Sequence, residues 1–168
     1  GRKPTRSQLT VGATLLLAAV GRACCPTSKQ GWYEWCQTTS LEYLCRRSFK
    51  GLDSQHFWDQ MQAFDVEHIA EIEQELVKRL IEKYAIQLDT LLFHTSNFFT
   101  FIDTTNERCD LAQRGKNKQK RSDLRQVGLA LLVTRHEQLP LFHHTYRGNR
   151  HDSTVWQEQL PTLVERLQ

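Results

Sequence analysis

The sequence lacks several signatures that would assign a function class at once. Its most apolar window, 9–20, is too short to cross a bilayer, which needs about 20 residues. The cysteines, at 24, 25, 36, 45 and 109, form no C-x-x-C pair and have no metal-ligand spacing. This excludes a zinc module and a paired redox motif, and an odd, unpatterned set fits small hydrophobes in a reducing cytosol. There is no glycine-rich phosphate loop and no recoverable Ser/His/Asp or Cys/His constellation. No internal repeat or low-complexity linker is present. A large excess of one charge is missing too, because the formal net charge is only +3.

What is present is a soluble, globular composition. Apolar residues make up 39% of the 168-residue chain and charged residues 24%. That length suits one domain with a real core, or a small domain with part of another. The chain begins at Gly1 without a methionine and ends at Gln168 shortly after a helical pattern starts, as a fragment would. Arg2, Lys3 and Arg6 ahead of an apolar run with Ala18 and Ala19 weakly imitate a signal peptide, but Gln8, Thr10 and Arg22 favour a buried helix.

The first half reads as helical. A helix is expected over 7–23, capped by Ser7 and ended by Pro26. The 31–45 stretch is rich in aromatics, Trp32, Tyr33, Trp35 and Tyr43, with Arg46, Arg47 and Lys50 following. Such interleaving can mark a nucleic-acid surface; aromatics packing between helices are the preferred reading. Gly51 to Ser54 forms a turn that caps a short helix over 55–62. A longer helix follows, with Asp65 as a cap. Val66, Ile69, Ile72, Leu76, Leu80 and Tyr84 have the spacing of one buried stripe, and Glu67, Glu71, Glu73, Glu75, Lys78, Arg79, Glu82 and Lys83 fall on the wet side.

The hydrophobic period changes near Leu88. Leu91-Leu92-Phe93 suits a buried strand. The 126–134 run suits a strand covered on both faces, and 139–146 pairs with it as a hairpin across a turn at 135–138. Pro140 sits near the start of that strand, where a missing donor is tolerated. The 154–160 and 163–167 stretches look helical. Between Arg108 and Arg125 seven basic residues face Asp110 and Asp123, a local net of +5, so the remainder of the chain is about 2 units negative. The candidate phosphate-contacting side chains are Lys116, Lys118, Lys120, Arg121 and Arg125; the alternative is a solvated loop between strands. His143 and His144 are adjacent in a strand, so they point to opposite faces and do not readily share a metal.

These residues carry a resemblance. The 91–100 run Leu-Leu-Phe-His-Thr-Ser-Asn-Phe-Phe-Thr, the 123–133 run beginning Asp-Leu-Arg-Gln-Val-Gly, and Leu139-Pro140-Leu141 leading into Gly148-Asn149-Arg150-His151-Asp152 resemble a bacterial insertion-sequence transposase of the DDE type. Ser54-Gln55-His56-Phe57-Trp58-Asp59 and the long helix after it resemble that family's helical region. The likeness covers nearly the whole chain and rests on the order and spacing of its parts, since no single motif decides it. It implies an α+β chain: a helical, DNA-binding support over 1–87, then over 88–168 the first three strands of a ribonuclease-H-like mixed sheet, incomplete at its C-terminus. It also implies transposon-end duplex DNA as partner, no membrane, a bacterial cytoplasm, and room for a homodimer. The family's chemistry is phosphoryl transfer with two Mg²⁺ ions held by three carboxylates.

The sequence departs from that pattern where the chemistry should sit. The first acid belongs on the first strand, and His94 stands at that position. A neutral imidazole is a poor ligand for Mg²⁺, which prefers hard oxygen donors. Asp103, in Asp103-Thr104-Thr105, repeats the Asp-x-Thr look nine residues on and is the substitute candidate, although it lies past the strand that should present it. The other two acids are missing, and Asp152 corresponds to a turn and not to a catalytic position. The metal ligands of this chain are unassigned, and this fragment is expected not to bind the family's Mg²⁺. The expectation is therefore a DNA-binding transposase fragment, catalytically inactive alone; the alternatives are a non-catalytic DNA-binding remnant or a structural protein.

Overall fold

The computed structural model describes residues 9–103 and 105–167. Ser7, expected to cap the first helix, lies outside the described residues. The chain divides into two compact units, 1–69 and 70–168. The architecture is α+β: helices come first, and an antiparallel sheet follows.

The first unit holds α1 (Val11–Cys24), α2 (Lys29–Gln37), α3 (Leu41–Cys45) and α4 (Ser54–Gln62). Each longer helix starts where a side chain accepts a free first-turn N–H: Thr10 from Ala13, Ser28 from Gly31 and Asp53 from His56. Arg46 ends α3 in the left-handed region, at φ 50°. The core gathers Leu9, Leu17, Trp32, Cys36, Phe49, Leu52 and Phe57. Trp32 is 5% exposed and meets Phe57 edge-on at 4.8 Å, so packing governs this aromatic. Tyr43, by contrast, is largely exposed. Thr14 and His56 share a buried hydrogen bond of 3.1 Å between α1 and α4, and burial pushes the His56 ring below the ordinary histidine pKa.

Gly21 is where α1 makes room for the indole. A Cβ there would lie 1.6 Å from Trp32 Nε1, a side chain wedged in the core and unable to withdraw. Gly21→Ala should therefore destabilise this unit by roughly 1–3 kcal/mol, the usual cost of overpacking, although alanine is the better helix former. Urea unfolding followed by tryptophan emission checks this; equal or greater stability would refute the packing.

The second unit is built on β1 (Leu91–Thr100), β2 (Arg125–Thr134) and β3 (Pro140–Arg147), in the order β1-β2-β3, all antiparallel. The expected mixed sheet is thus not what the described residues form; no parallel pair occurs among them. Gln126, Gly128, Ala130, Leu132 and Thr134 form the buried row of β2, and its other row is half-buried, so the strand is not fully covered on both faces as its apolar run suggested. β3 has a bulge opposite Leu132 and Val133, next to Pro140, which lacks the donor a regular ladder needs. α6 (Asp152–Leu167) runs unbroken through Pro161, where two helical stretches were expected.

α5 (Glu67–Tyr84) corrects one expectation sharply. Val66, Ile69, Ile72, Leu76 and Tyr84 are exposed rather than buried. Val77 and Ile81 instead join Leu132, Leu141, Phe142 and Leu163 in the core. Glu73, assigned to the wet side, is only 15% exposed as a side chain. Its carboxylate accepts from the His143 backbone N–H at 2.9 Å, from the His143 ring and from the Arg166 guanidinium at 2.8 Å. Buried carboxylates persist where they are paired and hydrogen-bonded. Because α5 packs here, the compact unit begins at Ala70, ahead of the period change near Leu88.

Glu73→Ala should cost about 2–3 kcal/mol, since it leaves the partly buried Arg166 and the His143 N–H without their acceptor. Chemical denaturation monitored by far-UV circular dichroism tests it; a change no larger than that of the exposed control Glu75→Ala would overturn this role.

Candidate nucleic-acid interface

In the connection between β1 and β2, the described residues 101–103 and 105–124 are braced by their own polar side chains. Asp103 lies beyond the last residue of β1, and its Oδ1 accepts from the Thr105 N–H and hydroxyl, both at 2.8 Å. Those bonds hold its carboxyl below the usual range. Asp103 thus closes a local turn and does not share the strand of His94. Further on, Gln113 makes a bridge with Gln126, and the Gly148 N–H donates to the Leu111 carbonyl.

Gln126 positions the basic segment. Its side chain is 1% exposed, and Nε2 donates to the Gly148 carbonyl at 2.7 Å and to the Lys116 carbonyl at 3.1 Å. One amide therefore ties the basic loop to the Gly148-Asn149 turn after β3. The approach is close: a Cβ on Gly115 would lie 2.1 Å from the Gly148 carbonyl oxygen, and one on Gly148 would lie 1.9 Å from that of Gln126. Glycine is needed at both places for the backbones to meet.

Asn117 shapes the rest. Its Nδ2 donates to the Gly115 and Arg121 carbonyls, and its Oδ1 accepts the Arg121 N–H at 2.8 Å. Lys120 sits in the left-handed region at φ 56° inside this turn. Lys116, Lys118 and Lys120 are exposed and make no ion pair among the described residues. Arg114 is exposed beside them.

The two arginines of the predicted set behave differently. Arg121 donates two bonds to Asp123, at 2.8 and 2.6 Å, which hold that carboxyl down at about 2. Its charge is thus largely spent within the loop. Arg125 begins β2, and its guanidinium donates to the Asn106 carbonyl at 2.8 Å, so it anchors the connection. The sequence pointed to all five cations by type alone. It missed Gln126 and Asn117, whose signal was a polar amide opening an apolar strand and an Asn two residues after a glycine.

His94 is exposed on β1, opposite Leu131. Strand alternation puts it in one row with Leu92, Ser96 and Phe98, on the face away from Phe93 and the helical core. Among the described residues, no group of three or more His, Cys, Asp or Glu side chains is gathered to hold a metal ion. One imidazole in this row does not fit Mg²⁺. Asp152 begins α6, where it accepts from the Tyr146 hydroxyl at 3.0 Å. Burial first, then that bond, pushes the phenol up to about 12. In the first unit, a cleft of about 560 Å³ is lined mainly by apolar side chains such as Leu15, Trp32, Phe57 and Met61.

No family model matches the chain, and neither a curated protein nor a solved structure matches it. No single helix among the described residues is long and apolar enough to cross a membrane.

Asn117→Ala should remove about 2 kcal/mol of local order, because it deletes three hydrogen bonds worth about 1 kcal/mol each at most. Tryptic cleavage after Lys118 and Lys120 should then accelerate at least roughly tenfold, while exchange protection in β2 is kept. Unchanged cleavage would show that Asn117 does not hold the loop.

Proposed function

We propose that this chain is a duplex-DNA-binding fragment of a DDE-type transposase, without strand-cleaving activity of its own. The observation that carries the reading is the braced loop with Lys116, Lys118 and Lys120 exposed beside Arg114. Ammonium groups held on an ordered loop can meet successive phosphates at little entropic cost, and each contact releases counterions. The antiparallel order β1-β2-β3 followed by α6 suits the opening strands of a ribonuclease-H-like core.

The chemistry of an intact family enzyme needs hard oxygen ligands around two Mg²⁺ ions. His94 supplies a nitrogen where the first of them belongs, and its row holds no carboxylate. A binding role without cleavage is the reading that these residues support.

The test is the salt dependence of duplex binding, followed by fluorescence anisotropy. Replacing Lys116, Lys118 and Lys120 together by Ala should weaken binding and lower the slope of log K against log salt by about 2.7, at about 0.9 per lost phosphate contact. Arg121→Ala should change the slope less than any one of the lysines, because Asp123 already engages that guanidinium. No Mg²⁺-dependent nicking should appear, with or without His94→Asp. An unchanged slope in the triple variant would refute the DNA-binding reading, and nicking would refute the inactive one.

A further inference from the structure

The cleft of the first unit is built by that unit's own core. Pro26 cannot continue α1, and α2 leaves at 86° to it. The cleft, of about 560 Å³, lies between these two helices and α4. Sites for small molecules, including those between helices, are typically about 300–1,000 Å³. Two core rings, Trp32 and Phe57, line it together with Leu15 and Ala18 of α1 and Met61 of α4. The charged and hydroxyl-bearing groups are gathered at the turn between α1 and α2: Arg22, Thr27, Ser28 and Lys29. Among the described residues no carboxylate lines the cleft. Arg22 donates to the Thr27 carbonyl at 3.3 Å, and Lys29 Nζ stands 4.0 Å from the centre of the Trp58 ring. A ring face holds an ammonium without neutralising it. Neither cation makes an ion pair among the described residues.

We propose that this cleft binds a free medium-chain carboxylate, with its acyl chain along the apolar wall and its head at Arg22 and Lys29. Leu15, Ala18 and Arg22 recur at spacings of three and four, so they share one face of α1. Leu15 and Arg22 stand two turns apart, about 10 Å along the helix axis, which an acyl chain of roughly eight carbons spans. Burying that chain against Leu15, Ala18 and Met61 removes apolar surface of both partners from water. Met61, unbranched and adaptable, can follow its shape. At the other end a guanidinium can donate two parallel bonds to a carboxylate. The Ser28 hydroxyl accepts from the Gly31 N–H, and its own hydrogen is left to donate. An alkylammonium would meet two like charges in the same place, and an alcohol would leave both cations without a counter-charge. The site does not depend on whether the lysine loop contacts DNA.

Titration calorimetry of the whole chain with octanoate, below its micellar range, should show saturable one-to-one binding. Octan-1-ol and octylammonium should bind at least roughly tenfold more weakly. The Arg22→Glu/Lys29→Glu variant should reverse that order and prefer octylammonium, because the sign of the cleft's mouth is inverted. Arg22 is exposed and Lys29 half-buried, and far-UV circular dichroism checks that the variant is folded. Replacing Lys116, Lys118 and Lys120 by Ala should leave octanoate affinity unchanged, which separates this site from the DNA-binding one. Cys25 lines the same cleft, so octanoate should slow its alkylation by iodoacetamide, read by peptide mass mapping, and leave that of Cys109 unaltered. No saturable binding of octanoate, equal affinity for octan-1-ol, an unreversed order in the charge-swapped variant or an unprotected Cys25 would each overturn the proposal. So would binding only to phosphatidylglycerol vesicles, which would assign the bent pair α1 and α2 to a lipid surface instead.

Discussion

The sheet unit depends on one carboxylate. Glu73 sits where α5 passes the edge of β3, and it receives a backbone N–H, an imidazole and a guanidinium from two other elements. A charge taken this far out of water is tolerated only when its lone pairs are filled. That requirement fixes the rotation of α5 about its own axis. Val77 and Ile81 then fall on the core side, Ile72 and Leu76 fall outside, and Arg166 is held over the ring of Phe142. The same contact engages the outward backbone N–H of His143 on β3.

At the far end of β2 a second buried polar group performs a comparable task. The Gln126 amide reaches the basic loop and the turn after β3 together, so those segments are placed by the strand that starts between them. The consequence is a division of labour among cations that look alike in sequence. Arg125 and Arg121 are used within the fold, and the lysines are left for solvent or for a polyanion. The proposed contact with duplex DNA rests on those three exposed lysines.

Much of the fold was legible because local rules govern it. The turn at 51–54, from which Asp53 caps α4, the switch of hydrophobic period near Leu88, and the polar turn at 135–138 between two β-capable runs each act within a few residues. The helices and the antiparallel hairpin follow from them. The candidate site was legible only as composition. Lysines and arginines are easy to count, yet their use depends on partners such as Asp123 and Asn106, and the latter is distant in sequence from the arginine it serves.

The sequence by itself determined the element types, their order and the absence of a carboxylate at position 94, because these depend on local patterning and residue chemistry. Only the tertiary structure decided which face of α5 is buried. The apolar stripe of Val66, Ile69, Ile72 and Leu76 has the right spacing, but spacing carries no information about a glutamate that finds His143 and Arg166 across the fold. It also decided that the sheet is antiparallel throughout its described strands and that Gln126 holds the lysine loop. Those outcomes rest on hydrogen bonds between residues far apart in the chain, and no local pattern encodes them.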